Sequence, residues 1–182
     1  MKLLFFILSF IITVPARLKG MKIGKNSFIG PGYDFIETNL KGITIGDNVV
    51  IGRNAWLQTA SGNVKQIIEI GDNTRVGRSS TISANKNIRI GKNCMISYNV
   101  SILDHDHSFQ NLSKTLLSSG LTKGKEIVIE DDCFIGAHTF ILKGVHLGKR
   151  CVVGANSVVT KSFPAFSIIA GSPAILVKKN RK

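Results

Sequence analysis

The chain has 182 residues, of which 43% are hydrophobic and 19% charged, with a formal net charge of +13. That size and composition suit one domain with a buried core and exclude a disordered chain. The basic excess points to an anionic partner, either a phosphate-bearing cofactor or a membrane surface, or else to a solvated basic face. No nucleic-acid partner is expected, because no reader motif or interleaving of aromatic and basic residues accompanies the charge.

Residues 1–20 form a segment of their own. Leu3 to Val14 is an almost wholly apolar run of twelve residues behind Lys2, where a spanning helix needs about 20. It has the outline of a signal peptide, or of a short helix that lies on a membrane with Arg17, Lys19 and Lys22 near lipid phosphates or packs on the domain and caps its open end. The short helix, on the membrane or as a cap, is the favoured expectation. No acid precedes Asp34 and none follows Asp132, whereas eight Lys or Arg lie from Cys133 onward.

From Ile23 the chain takes up a beat of six. Ile23 and Ile29 open it, and after a pause from Gly32 to Lys41 come Ile45, Ile51 and Leu57. A small break between Gln58 and Ile68 reads as a protruding turn. Ile70, Val76 and Ile82 follow, then a two-residue slip at Ile88 and Ile90, then Ile96 and Ile102. Ile129, Ile135, Ile141, Leu147, Val153 and Val159 make the longest run. A period of six fits neither a helix nor a free-standing half-buried strand. It predicts a solenoid of short strands and tight bends with one aliphatic side chain pointing inward per strand.

The other hexad positions agree. Asn stands two places after Gly at Asn26, Asn48, Asn54, Asn73, Asn93 and Asn156, and Asn best tolerates the positive φ of a sharp bend. The fifth position is small or β-branched and includes Cys94, Cys133 and Cys151. These are therefore predicted to be small buried hydrophobes in a reducing compartment rather than nucleophiles or disulfides.

The one large interruption, residues 104–126, opens on Asp104-His105-Asp106-His107 and so carries two of the four His in the chain. A long excursion from a compact repeat is usually functional or disordered. Imidazole can take a proton from an alcohol and return it within one turnover, and a neighbouring carboxylate can orient the ring. The alternative is an ordinary polar loop. Residues 162–182 form a basic C-terminal tail.

The stretches ISYNVSILDHDH (96–107), IEDDCFIGAHTFI (129–141), VGANSVVTK (153–161) and IAGSP (169–173) resemble the hexapeptide-repeat acyltransferases, in their sugar O-acetyltransferase branch of maltose- and galactoside-acetyltransferase-like enzymes. The resemblance runs over roughly residues 23–178. It implies an all-β fold, a left-handed parallel β-helix over residues 21–161 with one protruding loop. It implies a CoA-dependent enzyme that moves an acetyl group from acetyl-CoA to a sugar or oligosaccharide hydroxyl in surface polysaccharide or glycan synthesis, without a metal. It also implies a homotrimer with active sites between subunits. Carried over by position, the general base is His107, with His105 second; Asp104 and Asp106 are candidates to orient the imidazole, a task that a backbone carbonyl could also do. The positions matching the CoA site are Gly136, Ala137, Gly154, Ala155, Thr160, Lys161, Ala170, Gly171 and Lys178, the two lysines suiting phosphates. Ile175 stands where relatives often carry Arg, and Phe134 where many carry Trp. A cytoplasmic enzyme is expected, attached to the inner face of the membrane if residues 1–20 touch lipid. Two rival readings are a γ-carbonic-anhydrase-like metal enzyme using His105, His107 and His138, and a non-catalytic β-solenoid.

Overall fold

The computed structural model describes residues 2–33, 38–59 and 67–179. Helix α1 (Lys2–Leu18) leads into β1 (Lys22–Ile23) and β2 (Phe28–Ile29). The next coil is β3 (Ile43–Ile45), β4 (Val50–Ile51) and β5 (Trp56–Thr59), and the one after it β6 (Ile67–Ile70), β7 (Arg75–Val76) and β8 (Thr81–Ala84). Then come β9 (Asn87–Ile90), β10 (Met95–Ile96) and β11 (Ser101–Leu103), after which the long loop leaves. It returns to β12 (Ile127–Ile129), β13 (Phe134–Ile135) and β14 (Phe140–Ile141), then β15 (His146–Leu147), β16 (Val152–Val153) and β17 (Val158–Val159). Strands β18 (Ser167–Gly171) and β19 (Ala174–Lys179) close the chain.

These strands stack into three parallel sheets, the faces of a prism. Face one is β1-β3-β6-β9-β12-β15, face two β2-β4-β7-β10-β13-β16-β18 with β19 outside it, and face three β5-β8-β11-β14-β17. This is the parallel β-solenoid that the beat of six predicts. Along face two the register places Ile29, Ile51, Val76, Ile96, Ile135, Val153 and Ile169 directly above one another. All are at most 2% exposed, and each such side chain adds about 2 kcal/mol by leaving water.

On face one, β3, β6, β9 and β12 are longer and bury two aliphatics each, as Ile43 and Ile45 or Ile127 and Ile129, with Thr44 or Val128 pointing out between them. The Ile88–Ile90 spacing is therefore the period-two pattern of β9, and the extra length lies in the Asn85–Lys86 turn before it. The solenoid also continues past residue 161. Phe163 bridges to Leu147, and β18 pairs in parallel with β16, before β19 turns back antiparallel. The turn expected between Gln58 and Ile68 falls largely on residues 60–66, and the pause after Gly32 includes 34–37; both lie outside the described residues.

The corners explain the Asn positions. Asn26, Asn48, Asn54, Asn73, Asn93 and Asn156 all have φ between 55° and 58°. Between faces one and two their amides form a ladder, Asn26 to Asn48, Asn48 to Asn73, Asn73 to Asn93 and Asn93 to Asp132, at 3.2–3.4 Å. The same turn conformation is held without Asn by Ser79, Asp132, His138, Arg150 and Phe166, because the stacked coils impose it. Just inside this corner the thiols of Cys94, Cys133 and Cys151 are free, buried, and donate to the carbonyls of Glu130, Gly148 and Pro164 on the following coil.

Helix α1 packs over β1 and β2, and β19 edges β18, so the outer edges of these strands are shielded. Among the described residues no helix is long and apolar enough to cross a membrane.

Candidate active site

The long loop leaves from the corner between faces three and one, and one buried carboxylate fixes its departure. Asp104 is fully buried. Its Oδ1 accepts the Asn85 amide and its Oδ2 the Lys86 amide, both at 2.7 Å, so the extra turn residues of the third coil form a two-pronged socket for it. Buried carboxylates need such donors. The same Oδ1 lies 2.9 Å from Nδ1 of His105, whose side chain is 12% exposed. An imidazole that donates through Nδ1 has its Nε2 left as the basic nitrogen.

The two limbs of the loop then run together as a short stem. The Thr122 amide donates to the Asp106 carbonyl at 2.7 Å, the Asp106 amide to Thr122 Oγ1 at 3.1 Å, and the Ser108 amide to the Gly120 carbonyl at 2.8 Å. His107 sits within this stem, bridged antiparallel to Leu121, and its side chain is exposed. The returning limb is tied to the same socket. Lys125 donates its amide to the Asp104 carbonyl, and Asn85 Nδ2 donates to the Thr122 carbonyl. Asp106 pairs with Lys143 on the next coil. The four loop residues singled out in the sequence thus come together, but with different surroundings: Asp104 and His105 inside, Asp106 and His107 outside. Beyond the stem the loop exposes Phe109, Leu112, Leu116 and Leu117.

The residues matched to a CoA site divide between two corners. Gly136, Gly154 and Ala170 form a column between faces two and three. A Cβ on Gly136 would lie 2.5 Å from the Ala155 amide nitrogen, and one on Gly154 would lie 3.0 Å from Ala170 Cβ. Only small residues keep that column close-packed. Ala137, Ala155 and Gly171 follow on the same corner, where Asn156 donates to the Ala137 carbonyl and Gly171 donates to Ser157 Oγ. Ala155 and Gly171 are exposed there. Thr160 and Lys161 follow β17 on the opposite side of face three, the side from which the loop leaves, with Lys161 Nζ 5.8 Å from the Phe163 ring centroid. Lys178 is exposed on β19, opposite Ile168. Face three lies between the small-residue corner and the histidine corner.

The socket residues Asn85 and Lys86, with Thr122 and Lys143, escape sequence reasoning; only the lengthened third coil hinted at them. Tyr98 sits edge-on to His138 at 5.3 Å between ring centroids and beneath the Arg78 guanidinium at 5.2 Å. His138 is thus on the small-residue corner while His105 is held by Asp104. Among the described residues no group of three or more His, Cys, Asp or Glu side chains is placed to hold a metal ion.

A family profile described as the hexapeptide repeat of succinyl-transferase matches residues 20–57, 67–103 and 126–161. WbbJ of Escherichia coli, named for O-acetyl transfer in lipopolysaccharide biosynthesis, is 30% identical over 143 residues, 75% of this chain and 71% of its own. A Mycobacterium tuberculosis protein named as an acetyltransferase is 29% identical over 155 residues, 85% of this chain, which spans only 50% of that relative. The solved polysialic acid O-acetyltransferase OatWY is 28% identical, with a TM-score of 0.64 over 89% of this chain and 85% of its own. The same fold is found at 21% identity in AntD, an N-acyltransferase from Bacillus cereus crystallised with dTDP and 3-hydroxybutyryl-CoA, with a TM-score of 0.74 over 93% of this chain and 88% of that one.

Proposed function

The chain belongs to the hexapeptide-repeat transferases, and on that premise we propose that it moves an acetyl group from acetyl-CoA to a sugar hydroxyl, with His107 as general base. The observation that carries this reading is the loop stem. It holds an exposed imidazole at a fixed height on the prism, and a general base must reach the hydroxyl it deprotonates. His105, largely enclosed and held by Asp104, is the positioning residue of the pair. The relatives named for lipopolysaccharide and polysialic acid O-acetylation support a saccharide acceptor in surface glycan synthesis.

In this mechanism His107 removes the proton from the attacking hydroxyl as its oxygen adds to the thioester carbonyl. The tetrahedral oxyanion takes hydrogen bonds from nearby donors. Its collapse breaks the C–S bond, and the imidazolium returns its proton to the CoA thiolate. No covalent enzyme intermediate forms, in keeping with three cysteines that are all buried. The pantetheine arm is read along the small-residue column at Gly136, Gly154 and Ala170, with Ala137, Ala155 and Gly171 beside it and Lys178 toward phosphates, and with Thr160 and Lys161 across face three from the column. The exposed apolar side chains of the loop support an assembly, read as a homotrimer, in which the loop of one subunit packs on the next. Acetyl-CoA as donor places the reaction on the cytoplasmic side.

The test is thiol release from acetyl-CoA with a panel of simple hexosides and sialosides. Wild type is expected to turn over at least one of them. His107→Ala is expected to lose about 10²–10⁴-fold in kcat, while His105→Ala keeps a larger share. Equal rates in His107→Ala and wild type would remove His107 from the chemistry.

A further inference from the structure

Helix α1 turns a row of large apolar side chains away from the solenoid. Among the described residues, those it turns onto the solenoid are Ser9, Thr13 and Ala16, which are 6%, 7% and 0% exposed. They recur at i, i+4 and i+7, one helix face. The large apolar residues Ile7, Phe10, Ile11 and Leu18 recur at i, i+3, i+4 and i+11, a second face, and are 49%, 69%, 60% and 83% exposed. A surface helix normally buries its apolar stripe against its own domain. Here Ile7, Phe10, Ile11 and Leu18 point away from it. The C-terminal end of the helix is tied down by the Met21 amide on the Ala16 carbonyl and by Arg17 Nη2 on the Gly24 carbonyl.

The charges around this stripe identify its partner. Arg17, Lys19, Lys22 and Lys25 follow in order and are exposed, and no Asp or Glu precedes Asp34. An apolar ridge beside an exposed basic run complements an anionic lipid surface. A second copy of the same segment would bring like charges together. The seventeen residues span about 25 Å, short of a bilayer's hydrocarbon core, so the helix fits the plane of the membrane rather than its normal.

We propose that α1 is an in-plane membrane anchor. Ile7, Phe10, Ile11 and Leu18 sink into the headgroup–acyl boundary, and Arg17, Lys19, Lys22 and Lys25 meet lipid phosphates. The first coil of the solenoid then faces the bilayer, and the loop with the proposed base leaves the fourth coil, three above it. The anchor is independent of the chemistry at the loop.

The experiment is co-sedimentation of the full chain with vesicles of equimolar phosphatidylcholine and phosphatidylglycerol, and with phosphatidylcholine alone, with particle mass followed by light scattering. Wild type is expected to bind the anionic vesicles and to release in high salt. Phe10→Glu/Ile11→Glu is expected to lower that partitioning by about tenfold or more with unchanged mass and melting temperature. Lys22→Gln/Lys25→Gln is expected to weaken binding to anionic vesicles and leave the neutral ones unaffected. The proposal is overturned if wild type stays in the supernatant, if the double Glu variant binds as wild type does, or if that variant changes the particle mass, which would make the stripe a contact between subunits.

Discussion

Asp104 and His105 are neighbours in sequence, and the carboxylate of the first turns back to hold the ring of the second, with Oδ1 2.9 Å from Nδ1. The same carboxylate takes two backbone amides from a turn nineteen and eighteen residues earlier. One buried side chain thus fastens the loop to the prism and sets the tilt of the imidazole beside the proposed base.

Removing that fastening is predicted to cost both stability and rate. In Asp104→Ala the Asn85 and Lys86 amides lose a charged acceptor inside the protein, a loss of about 3 kcal/mol or more. In Asp104→Asn one prong of the socket meets an NH2 group and two donors face each other. Both variants are expected to melt at lower temperature. Below that temperature they are expected to show a lowered kcat with a nearly unchanged KM for acetyl-CoA, because the CoA column stands on other strands. Melting followed by circular dichroism, with steady-state kinetics on the same samples, measures both. A variant that melts as wild type does would show that the socket carries no load.

This arrangement also marks the limit of what the sequence discloses. The stacked aliphatics and the Asn corners were legible because the spacing of six leaves one architecture, and because few side chains other than Asn accept φ near 55°. Phe166 and Arg150 adopt the same turn under the pressure of neighbouring coils, and nothing in their own chemistry announces it. The loop and its histidines were legible as a break in a regular pattern. The distribution of roles was not. That His105 turns inward and His107 outward depends on a contact between Asp104 and residues 85–86, which the chain reports only as two residues too many. Likewise, the CoA-matched positions read as one set along the chain, whereas the fold puts Thr160 and Lys161 across face three from the Gly136 column.

The small-residue column gives a prediction about the donor. Ala155 is exposed on that corner, beside Gly136 and clear of the packed interior. A large side chain there would fill the strip read as the pantetheine path without disturbing the stack. Ala155→Trp is expected to raise the KM for acetyl-CoA by about tenfold or more, the scale on which a close steric block shows in binding, with melting temperature held. Isothermal titration with CoA gives the same comparison without an acceptor. Unchanged affinity would move the pantetheine path off this corner.

The three buried thiols give a prediction about pH. Hydrogen bonding to Cys151 and Cys94, reinforced by burial, pushes the Cys133 thiol far above its ordinary range. A raised value means that the thiol stays protonated as pH climbs from neutral to mildly alkaline. Labelling by a thiolate-seeking reagent should then stay slow for Cys133 in the native protein, without the near tenfold rise per pH unit of a free thiol below its pKa. It should become fast in denaturant. Mass spectrometry of the labelled peptides reads this, and rapid native labelling at Cys133 would contradict the packed corner.

The loop supplies the last prediction. Leu112 and Leu117 are 96% and 97% exposed in the protomer, on a segment whose stem is otherwise well held by hydrogen bonds. Two almost fully solvated leucines at the tip of an ordered excursion are expensive to leave in water and are well placed to enter a groove on another subunit. If they do, Leu112→Glu/Leu117→Glu places two charges in an apolar contact and should shift the particle from the proposed trimer toward monomer in light scattering. Activity should fall with the trimer, since the base and the CoA column are read as meeting across that contact. The fold of the single chain should survive, because neither side chain touches the stacked core. A double variant that remains trimeric would separate the loop from the assembly and leave its leucines to the acceptor instead.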